Sequence, residues 1–447
     1  MLKRKALLLI MTIILVLINL NGCINKETPE SNKPILIKVL TWNEKEFFER
    51  YGNVFLATHP NFDLETILIP EYLKPGEDLN QAIERIIINE SPDVVSLNME
   101  FYDYLREKRL LEPLNPFIKR DNLDLSTYTP SVIEFLQDNQ NDLFGLTPTF
   151  TGKAIYYNKK LFADNNIPEP TDLMTWDDIF ELAQRFPKSL NNNNTPVYGF
   201  YHKDMANSFL FGLSIGEGSG VTLYNNNTFT LNTEAWNNIF DNVVQCVETK
   251  SCYEAKDTNQ GNVITNNSNM DIQSYPFLAG NIAMAIDDST LYKLMINNDK
   301  YKNLEWGVVS YPVSSEYPDT GNMIDINEIF SINSSSAQIK ESWEFISYIN
   351  GDSYAKLIQR INPYELPVRE NTIENSDPQM LAFYKVLHVN SNLTNKLRKL
   401  PKKVLSKIDE SSKKYMTEIY NKNMSIQEAL EAIENELQLT INEELKN

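Results

Sequence analysis

Few residues of this chain have the types and spacing that catalysis requires. The three histidines, His59, His202 and His388, lie far apart in sequence, and none belongs to a His-Glu-x-x-His or Cys-His zinc motif. Residues 216–220 resemble a nucleophile elbow, but their serine is at the fourth position, whereas Gly-x-Ser-x-Gly requires it at the third. Among 60 Asp and Glu residues some must lie close together, so their abundance does not indicate a glycosidase site. The sequence therefore predicts no catalytic residue, no cofactor and no metal site.

Two polar triplets have the residue types for binding a small polar molecule. Trp-Asn-Glu at 42–44 follows a run of strand-forming residues at 35–41, and Asn-Met-Glu at 98–100 follows a similar run at 94–97. An aromatic ring offers an apolar face, while amide and carboxylate groups supply hydrogen-bond donors and acceptors. Noncovalent recognition is therefore the chemistry that these positions favour.

The elements that position these triplets alternate between strand and helix. Strands are predicted at 35–41, 64–69 and 94–97, with helices at 45–57, 79–88 and 101–107. This βαβα order predicts a mostly parallel sheet with helices on both faces. Because ligands of such sheets bind outside the carboxyl ends of the strands, we expect both triplets at one rim.

The stretch 142–186 carries the clearest local signals in the chain. Residues 154–157 are strand-forming, and Asn158 can cap a one-turn helix. Thr175 can cap a second helix, whose first turn is acidic and which ends before Pro187. The stretch is therefore predicted to contain one strand followed by two short helices.

Seven motifs in this chain follow the order typical of one protein family. They are Tyr-Tyr-Asn-Lys at 156–159, Thr-Trp-Asp-Asp at 175–178, and further motifs at 91–95, 110–114, 277–284, 306–309 and 424–430. With these motifs the chain resembles, over residues 35–440, the family 1 extracellular solute-binding proteins, which are receptors of ABC importers for sugars and related solutes. The resemblance implies a two-lobed α/β fold of the class II periplasmic-binding-protein type, with solute bound in the cleft between the lobes.

The resemblance also implies how the chain is divided. Each lobe is expected to be a mostly parallel sheet flanked by helices. Lobe 1 is expected at 35–148 plus 287–333, and lobe 2, with a helical C-terminal region, at 149–286 plus 334–447. A chain of this length is too long for one core and suits two.

A hinge of three crossings is expected to join the lobes. By resemblance the crossings lie near 148–151, 285–288 and 331–334. Apolar residues repeating with the helical period predict four helices beyond them, at 338–349, 379–387, 401–421 and 425–445. These helices are expected to pack across the back of the lobes.

By resemblance, the ligand-binding positions lie on the rims of both lobes. Pyranose rings have apolar C–H faces that stack on aromatic side chains, while their hydroxyl groups need donors and acceptors. The expected binding residues are Trp42, Asn43, Glu44, Asn98, Glu100, Phe150, Thr151, Asn207, Ser208, Asp287, Asp288, Thr290 and Tyr292. Glu100 has the alternative role of capping the helix that follows it.

The chain departs from the family pattern at two places. Many sugar-binding members have a Gly-Ser-Trp or Gly-Pro-Trp turn where this chain has residues 286–292. Thr290 therefore stands in the place of the usual aromatic platform, and Tyr292 is a candidate substitute. Residues 325–330, Asp-Ile-Asn-Glu-Ile-Phe, stand where a Gly-rich segment is common. Both departures weaken the expectation of a sugar ligand.

The amino terminus has the features of a secretory signal. Lys3, Arg4 and Lys5 precede an apolar run at 6–20, which is short for a membrane-spanning helix. The residues up to Cys23 resemble a bacterial lipobox, in which a diacylglyceryl group is attached to the cysteine sulfur before cleavage. The alternative is a plain signal peptide that is cut elsewhere.

These features predict a lipoprotein signal peptide at 1–22 and a polar tether at 23–34. The first 22 residues carry three basic and no acidic residues, so their removal leaves 425 residues and changes the net charge from −19 to −22. Such an acidic protein would be repelled by nucleic acid, which excludes that class of partner.

Two cysteines remain after Cys23. Cys246 and Cys252 are six residues apart, at the end of a helix predicted from Thr233 to about Glu248. A turn after that helix would bring the two sulfurs within bonding reach, and proteins outside the cell form disulfides. A disulfide is the preferred interpretation, with two free thiols as the alternative.

Together these observations predict a monomeric solute receptor that is anchored by lipid on the extracytoplasmic face of the cell membrane. By resemblance it binds a carbohydrate or a related solute and delivers it to the transmembrane subunits of an ABC permease. The alternatives are a sensor input for a membrane kinase and an extracytoplasmic carbohydrate hydrolase.

Overall fold

The computed structural model describes residues 34–187, 195–253, 274–315, 324–361, 365–373, 378–385 and 400–446, apart from the side chains of Ala206 and Glu217. The predicted signal peptide, Cys23, the tether up to residue 33 and His388 lie outside the described residues. In the part that is described, no helix is long and apolar enough to cross a membrane.

In the described part of the chain, the first sheet has five strands. β1 (Ile35–Thr41) pairs in parallel with β2 (Phe62–Leu68) on one side and with β3 (Val94–Leu97) on the other. β12 (Ile329–Ile332) pairs antiparallel with both β3 and β4 (Gly145–Leu146), which gives the order β2-β1-β3-β12-β4. The parallel βαβα order predicted for the amino-terminal region is confirmed.

Within the described residues 34–148, seven short α-helices connect and cover the strands of this sheet. They are α1 (Glu44–Phe47), α2 (Asn53–Thr58), α3 (Ile69–Tyr72), α4 (Leu79–Glu90), α5 (Met99–Glu107), α6 (Asn115–Asp121) and α7 (Pro130–Leu136). A π-helical segment, Phe48–Gly52, joins α1 to α2 without a break. The helix predicted at 45–57 is therefore three segments of one continuous helical stretch.

The second sheet is mixed. β5 (Thr149–Asn158) pairs antiparallel with β10 (Trp306–Val309) and with β9 (Ile282–Asp288), and β9 pairs in parallel with β6 (Tyr198–His202). The sequence predicted a mostly parallel sheet in each lobe. The second sheet differs because β5 runs opposite to the strands on both of its sides.

The helices of this region lie around the second sheet. They are α8 (Lys159–Asp164), α9 (Trp176–Gln184), α10 (Ser208–Gly218), α11 (Glu234–Glu248) and α12 (Ser289–Asn297), with a small hairpin of β7 (Tyr224–Asn225) and β8 (Thr228–Phe229). Asn158 caps α8 and Thr175 caps α9, as predicted. Thr175 also forms a capping box with Asp178. A disulfide joins Cys246 to Cys252, with a Cα–Cα distance of 5.2 Å.

Three connecting segments link the two sheets within the described residues. The first runs from Leu146 in β4 to Thr149 in β5. The second leads from β11 (Ile324–Asp325), which pairs with β5, to Ile329 in β12. The third begins after α14 (Asp352–Ile361), includes β13 (Leu366–Pro367), which also pairs with β5, and ends at the 3₁₀ helix Met380–Tyr384.

Two of the expected crossing positions differ from these segments. Residues 285–288 lie in β9, and the chain then forms α12 and returns through β10 to the same sheet. Residues 331–332 are the end of β12, which is already in the first sheet. The crossing therefore lies a few residues earlier, between Asp325 and Ile329.

The C-terminal helices are divided between the sheets. α13 (Ile339–Ile349) packs against β1, β12 and α2, so it covers the first sheet. α15 (Lys402–Tyr420) and α16 (Ile426–Glu444) pack on each other and on α10, α11 and β8 beside the second sheet. The expected division placed 334–447 in lobe 2 and 287–333 in lobe 1, whereas α13 lies on the first sheet and β10 in the second.

Candidate functional site

The two polar triplets lie side by side at the carboxyl edge of the first sheet. Trp42 follows β1 with 39% of its surface exposed, and its ring centroid lies 6.1 Å from that of Phe101 in α5. Because β1 and β3 are adjacent and parallel, their carboxyl ends bring both triplets to the same rim. This rim, residues 42–44 and 98–100, presents an exposed aromatic face beside polar groups.

Three polar side chains of the rim also hold the lobe together. Asn43 Oδ1 accepts a hydrogen bond of 3.2 Å from the first turn of α1, and Asn98 Oδ1 accepts one of 3.3 Å from the first turn of α5. Glu44 accepts a hydrogen bond of 3.0 Å from the hydroxyl of Thr66. Glu100 is half-buried in the first turn of α5. An amide whose oxygen caps a helix keeps its NH₂ donors, so both asparagines can also donate to a solute.

The second sheet carries charged residues at its edge near the connecting segments. On β5, Thr151 lies opposite Asp325 of β11, and its hydroxyl donates to the Asp325 carbonyl over 3.4 Å. Two residues further along, Lys153 lies opposite Asp288 of β9. Two residues of a strand span roughly 7 Å, so Lys153 and Asp288 lie close to the connecting segment that contains Asp325.

One short connection links the charged edge to the rim. β11 ends at Asp325, beside Thr151, and β12 begins at Ile329, beside Leu97 of β3. Leu97 directly precedes the 98–100 triplet, and Asn327 is exposed along the connection. A solute bound over this connection would therefore touch both lobes.

The surroundings of Asp287 at this edge change the ionisation of its carboxyl group. Burial and the neighbouring Asp288 raise the pKa of Asp287 to about 7, against the opposing effects of the Asp288 backbone N–H, Lys203 and Lys153. Its carboxyl group also raises the pKa values of the buried Tyr156 and Tyr201, after the larger effect of their own burial. At neutral pH the Asp287 carboxyl is therefore divided between its neutral and charged forms.

His202 is a neutral, buried histidine at the same edge. Its Nδ1 accepts a hydrogen bond of 3.2 Å from the backbone N–H of Asp204. Burial lowers the pKa of His202 to about 3, together with Lys153 and Lys203 and against the attraction of Asp204. The imidazole therefore acts as a hydrogen-bonded core residue, with its proton on Nε2.

Two aromatic residues expected at the site lie in the core. Phe150 is 1% exposed, and its ring packs edge-on against Tyr384 at 5.4 Å. Tyr292 is also 1% exposed and packs edge-on against Trp306 at 5.7 Å. Neither ring is accessible to a solute in this structure, so Tyr292 does not substitute for the aromatic platform that Thr290 lacks.

The remaining expected residues mostly begin helices. Asn207 Oδ1 accepts two hydrogen bonds, of 3.1 and 3.2 Å, from the first turn of α10. The Ser208 hydroxyl accepts one of 2.7 Å from Tyr420 of α15, so it faces the C-terminal helices. Asp288 caps α12 by accepting from the Thr290 backbone N–H at 2.8 Å. Asp288 and Thr290 lie at the charged edge, whereas Ser208 is turned toward α15.

Sequence reasoning missed Lys153, Lys203 and Asp204. The available signals were a lysine inside the buried strand β5 and a Lys-Asp pair directly after β6. Charged residues at the end of a buried strand are candidates for a ligand site.

Comparison with known proteins decides the family. The model of the family described as bacterial extracellular solute-binding protein matches residues 41–356, most of the chain. The chain belongs to this family. As a solute-binding protein it acts outside the cytoplasm, and its family consists of binding proteins.

Solved structures share the fold of this solute-binding protein. A sugar transporter protein from Rhizobium etli superposes with a TM-score of 0.65 at 17% identity, over 90% of this chain and 99% of that one. The sugar-binding protein MalE from Xanthomonas citri gives 0.68 at 13% identity, over 92% and 98%. An ABC substrate-binding protein from Listeria monocytogenes in complex with cycloalternan gives 0.58 at 18% identity, over 92% and 99%. These similarities establish the two-lobed fold.

The raised pKa of Asp287 predicts a pH-dependent stability. The carboxyl group has an ordinary pKa of 3.8 and one of about 7 in the fold, so the folded state is favoured below pH 4 and loses this contribution as the pH rises through 7. Asp287→Asn should therefore raise the free energy of unfolding at pH 8 by on the order of 4 kcal/mol. The gain should disappear near pH 4.

Thermal melts of both proteins between pH 4 and pH 8 measure this difference. Glu49→Gln is the control, because the Glu49 side chain is 63% exposed and its pairing with Lys45 has little energetic weight. An Asp287→Asn gain of equal size at pH 4 and pH 8 would show that ionisation is not its cause.

Proposed function

We propose that this solute-binding protein is the receptor of an ABC importer and binds a carbohydrate between its lobes. The observation that carries the proposal is the rim, where the exposed Trp42 stands beside amide and carboxylate groups at the carboxyl edge of the first sheet. An exposed indole among hydrogen-bonding groups suits the C–H face and hydroxyls of a sugar ring. The names of the similar structures, which include sugar-binding and cycloalternan-bound proteins, support the same ligand class.

The proposed binding residues come from both sides of the connecting segments. Trp42 supplies the stacking face, and Asn43, Asn98, Glu44 and Glu100 supply polar groups of the first lobe. The proposed contacts on the other side are Thr151, Lys153, Asp287, Asp288 and Thr290. The permease then receives the solute from the receptor, and ligand closes the lobes as it does in periplasmic binding proteins generally.

A thermal-shift screen tests the ligand class. The purified protein is heated with monosaccharides, disaccharides, oligosaccharides, polyols and amino compounds in turn. Because a ligand that binds only the native state stabilises it by RT ln(1 + [L]/Kd), a carbohydrate at 100 times its Kd should add about 2.7 kcal/mol. Stabilisation by amino compounds alone would refute the carbohydrate proposal.

Trp42→Ala tests the rim with the sugar that the screen identifies. Loss of the stacking contact and of the area buried against it should weaken binding at least about tenfold, equivalent to 1.4 kcal/mol. The melting temperature should change little, because a rim side chain leaves no core cavity. Titration calorimetry measures the affinity, with Ile88→Ala, a 60% exposed residue of α4, as the control. Unchanged affinity with a lower melting temperature would place Trp42 in the core.

We also propose that Cys23 carries the lipid anchor. The proposal rests on the apolar run and the lipobox-like residues before it. Two acyl chains are enough for stable membrane attachment, whereas the predicted tether has no apolar run of its own. Cys23→Ala should move the protein from the membrane fraction to the soluble fraction after carbonate washing, with solute binding intact. A leader-cleaved Cys23→Ala protein that stays in the membrane fraction would contradict the anchor.

A further inference from the structure

The side chain of Arg50 lies at the centre of a buried network of carboxylates. Its guanidinium group contacts Glu365 at 2.7 Å, Glu328 at 2.9 Å and Glu46 at 3.1 Å, with 11% of the side chain exposed. Glu328 and Glu365 are similarly covered, with 19% and 12% exposed, whereas Glu46 is half-exposed. Such ion pairs are shielded from water and hold their partners more firmly than surface pairs do.

The two covered carboxylates belong to two different connecting segments. Glu328 ends the connection between β11 and β12, and Glu365 directly precedes β13 in the third segment. The first connecting segment is linked to the network through Thr149, whose hydroxyl donates a hydrogen bond to Glu365. Asn327 also donates to Glu365, over 3.3 Å, and so links the second segment to the third. One guanidinium group therefore contacts two connections directly and the remaining one through Glu365.

The other side of the network is fixed to the first lobe. Arg50 lies in the π-helical segment Phe48–Gly52, and its backbone carbonyl accepts a hydrogen bond of 2.6 Å from Tyr354 of α14. The neighbouring Tyr51 is fully buried, its ring lies 4.7 Å from Phe330 of β12, and its hydroxyl donates to Glu328 at 2.6 Å. The guanidinium group thus projects from a rigid base toward the connections.

Arg50 supplies the positive charge that compensates the covered carboxylates of the network. Burial raises the pKa of Glu328 although Arg50 and Tyr51 oppose this effect, so the carboxylate depends on its partners for its charge. Without the guanidinium group, Glu328 and Glu365 would be two covered like charges. Removing one partner of a covered ion pair leaves the other uncompensated, which loosens the segments that carry it.

We propose that Arg50 is a positioning residue that ties all three connecting segments to the first lobe and thereby sets the relative arrangement of the lobes. Arg50 does this through the backbone that joins the lobes, with no contact to solute. The inference rests on the proposed function only in that solute binds between the lobes. Its test uses the ligand-free protein, so it can fail or succeed independently of the carbohydrate proposal.

Amide hydrogen exchange of the purified, ligand-free protein measures how often the backbone of the connecting segments opens. Arg50→Met should raise exchange about tenfold in peptides covering 146–152 and 324–330, with no change in α16. Arg106→Met is the matched control, because Arg106 also forms a partly buried ion pair, with Asp103 at 2.6 Å, but bonds the carbonyls of Leu136 and Gln137 within the first lobe. Its effect should be confined to α5 and α7.

Three further results decide the proposal. Arg50→Lys should restore protection only in part, because an ammonium group lacks the planar fork that reaches two carboxylates at once. Solution scattering of Arg50→Met should show a changed radius of gyration without ligand. Glu365→Gln keeps the Arg50–Glu328 pair, so it should raise exchange near Thr149 and β13 but not in β12. If Arg50→Met does not fold, this variant tests the proposal in its place. Unchanged exchange at the connections in folded variants, or a uniform increase that includes α16, would overturn the proposal.

Discussion

The pairing of β5 is the constraint on which the rest of the structure depends. Its ten residues are all buried, and its first four pair with β13 and β11, the strands of the connecting segments. Its remaining residues pair with β9 and β10 and form the centre of the second sheet. One register therefore fixes both the connections and the charged edge, so Lys153 and Asp288 cannot move relative to Thr151 and Asp325 without breaking this strand.

Local features were predictable from the sequence, whereas long-range ones were not. The bounds of β1 and β3 and the helix cap at Thr175 follow from residues within a few positions of each other, and the structure has them as predicted. The positions at which the chain passes between the sheets depend instead on the pairing of β10 with β5. No local sequence pattern specifies that pairing. Phe150 was misplaced because β5 is buried on both faces, so the alternation that separates rim from core is missing. The bond between Arg50 and Glu365 spans 315 residues.

The candidate site is chemically asymmetric. The first lobe offers an exposed aromatic ring and solvated polar groups, while the second lobe offers covered charges that lie beside neighbours of both signs. A neutral, hydroxyl-rich solute can hydrogen-bond to such groups without separating them, whereas an anion would also face a net charge of −19 on the whole chain. The distribution of charge thus favours neutral polar solutes at a site where the familiar aromatic platform of the second lobe is absent.

Energy scales indicate how the lobes can close. Covering the 39% of Trp42 that is exposed removes about 100 Å² of mostly apolar surface from water, worth roughly 2.5 kcal/mol. Separating Arg50 from a covered carboxylate would cost about 3–5 kcal/mol. Closure that broke the Arg50 network would therefore lose more than the indole gains. On our proposal that Arg50 holds the connections, closure that keeps this network intact rotates the lobes about an axis close to Arg50.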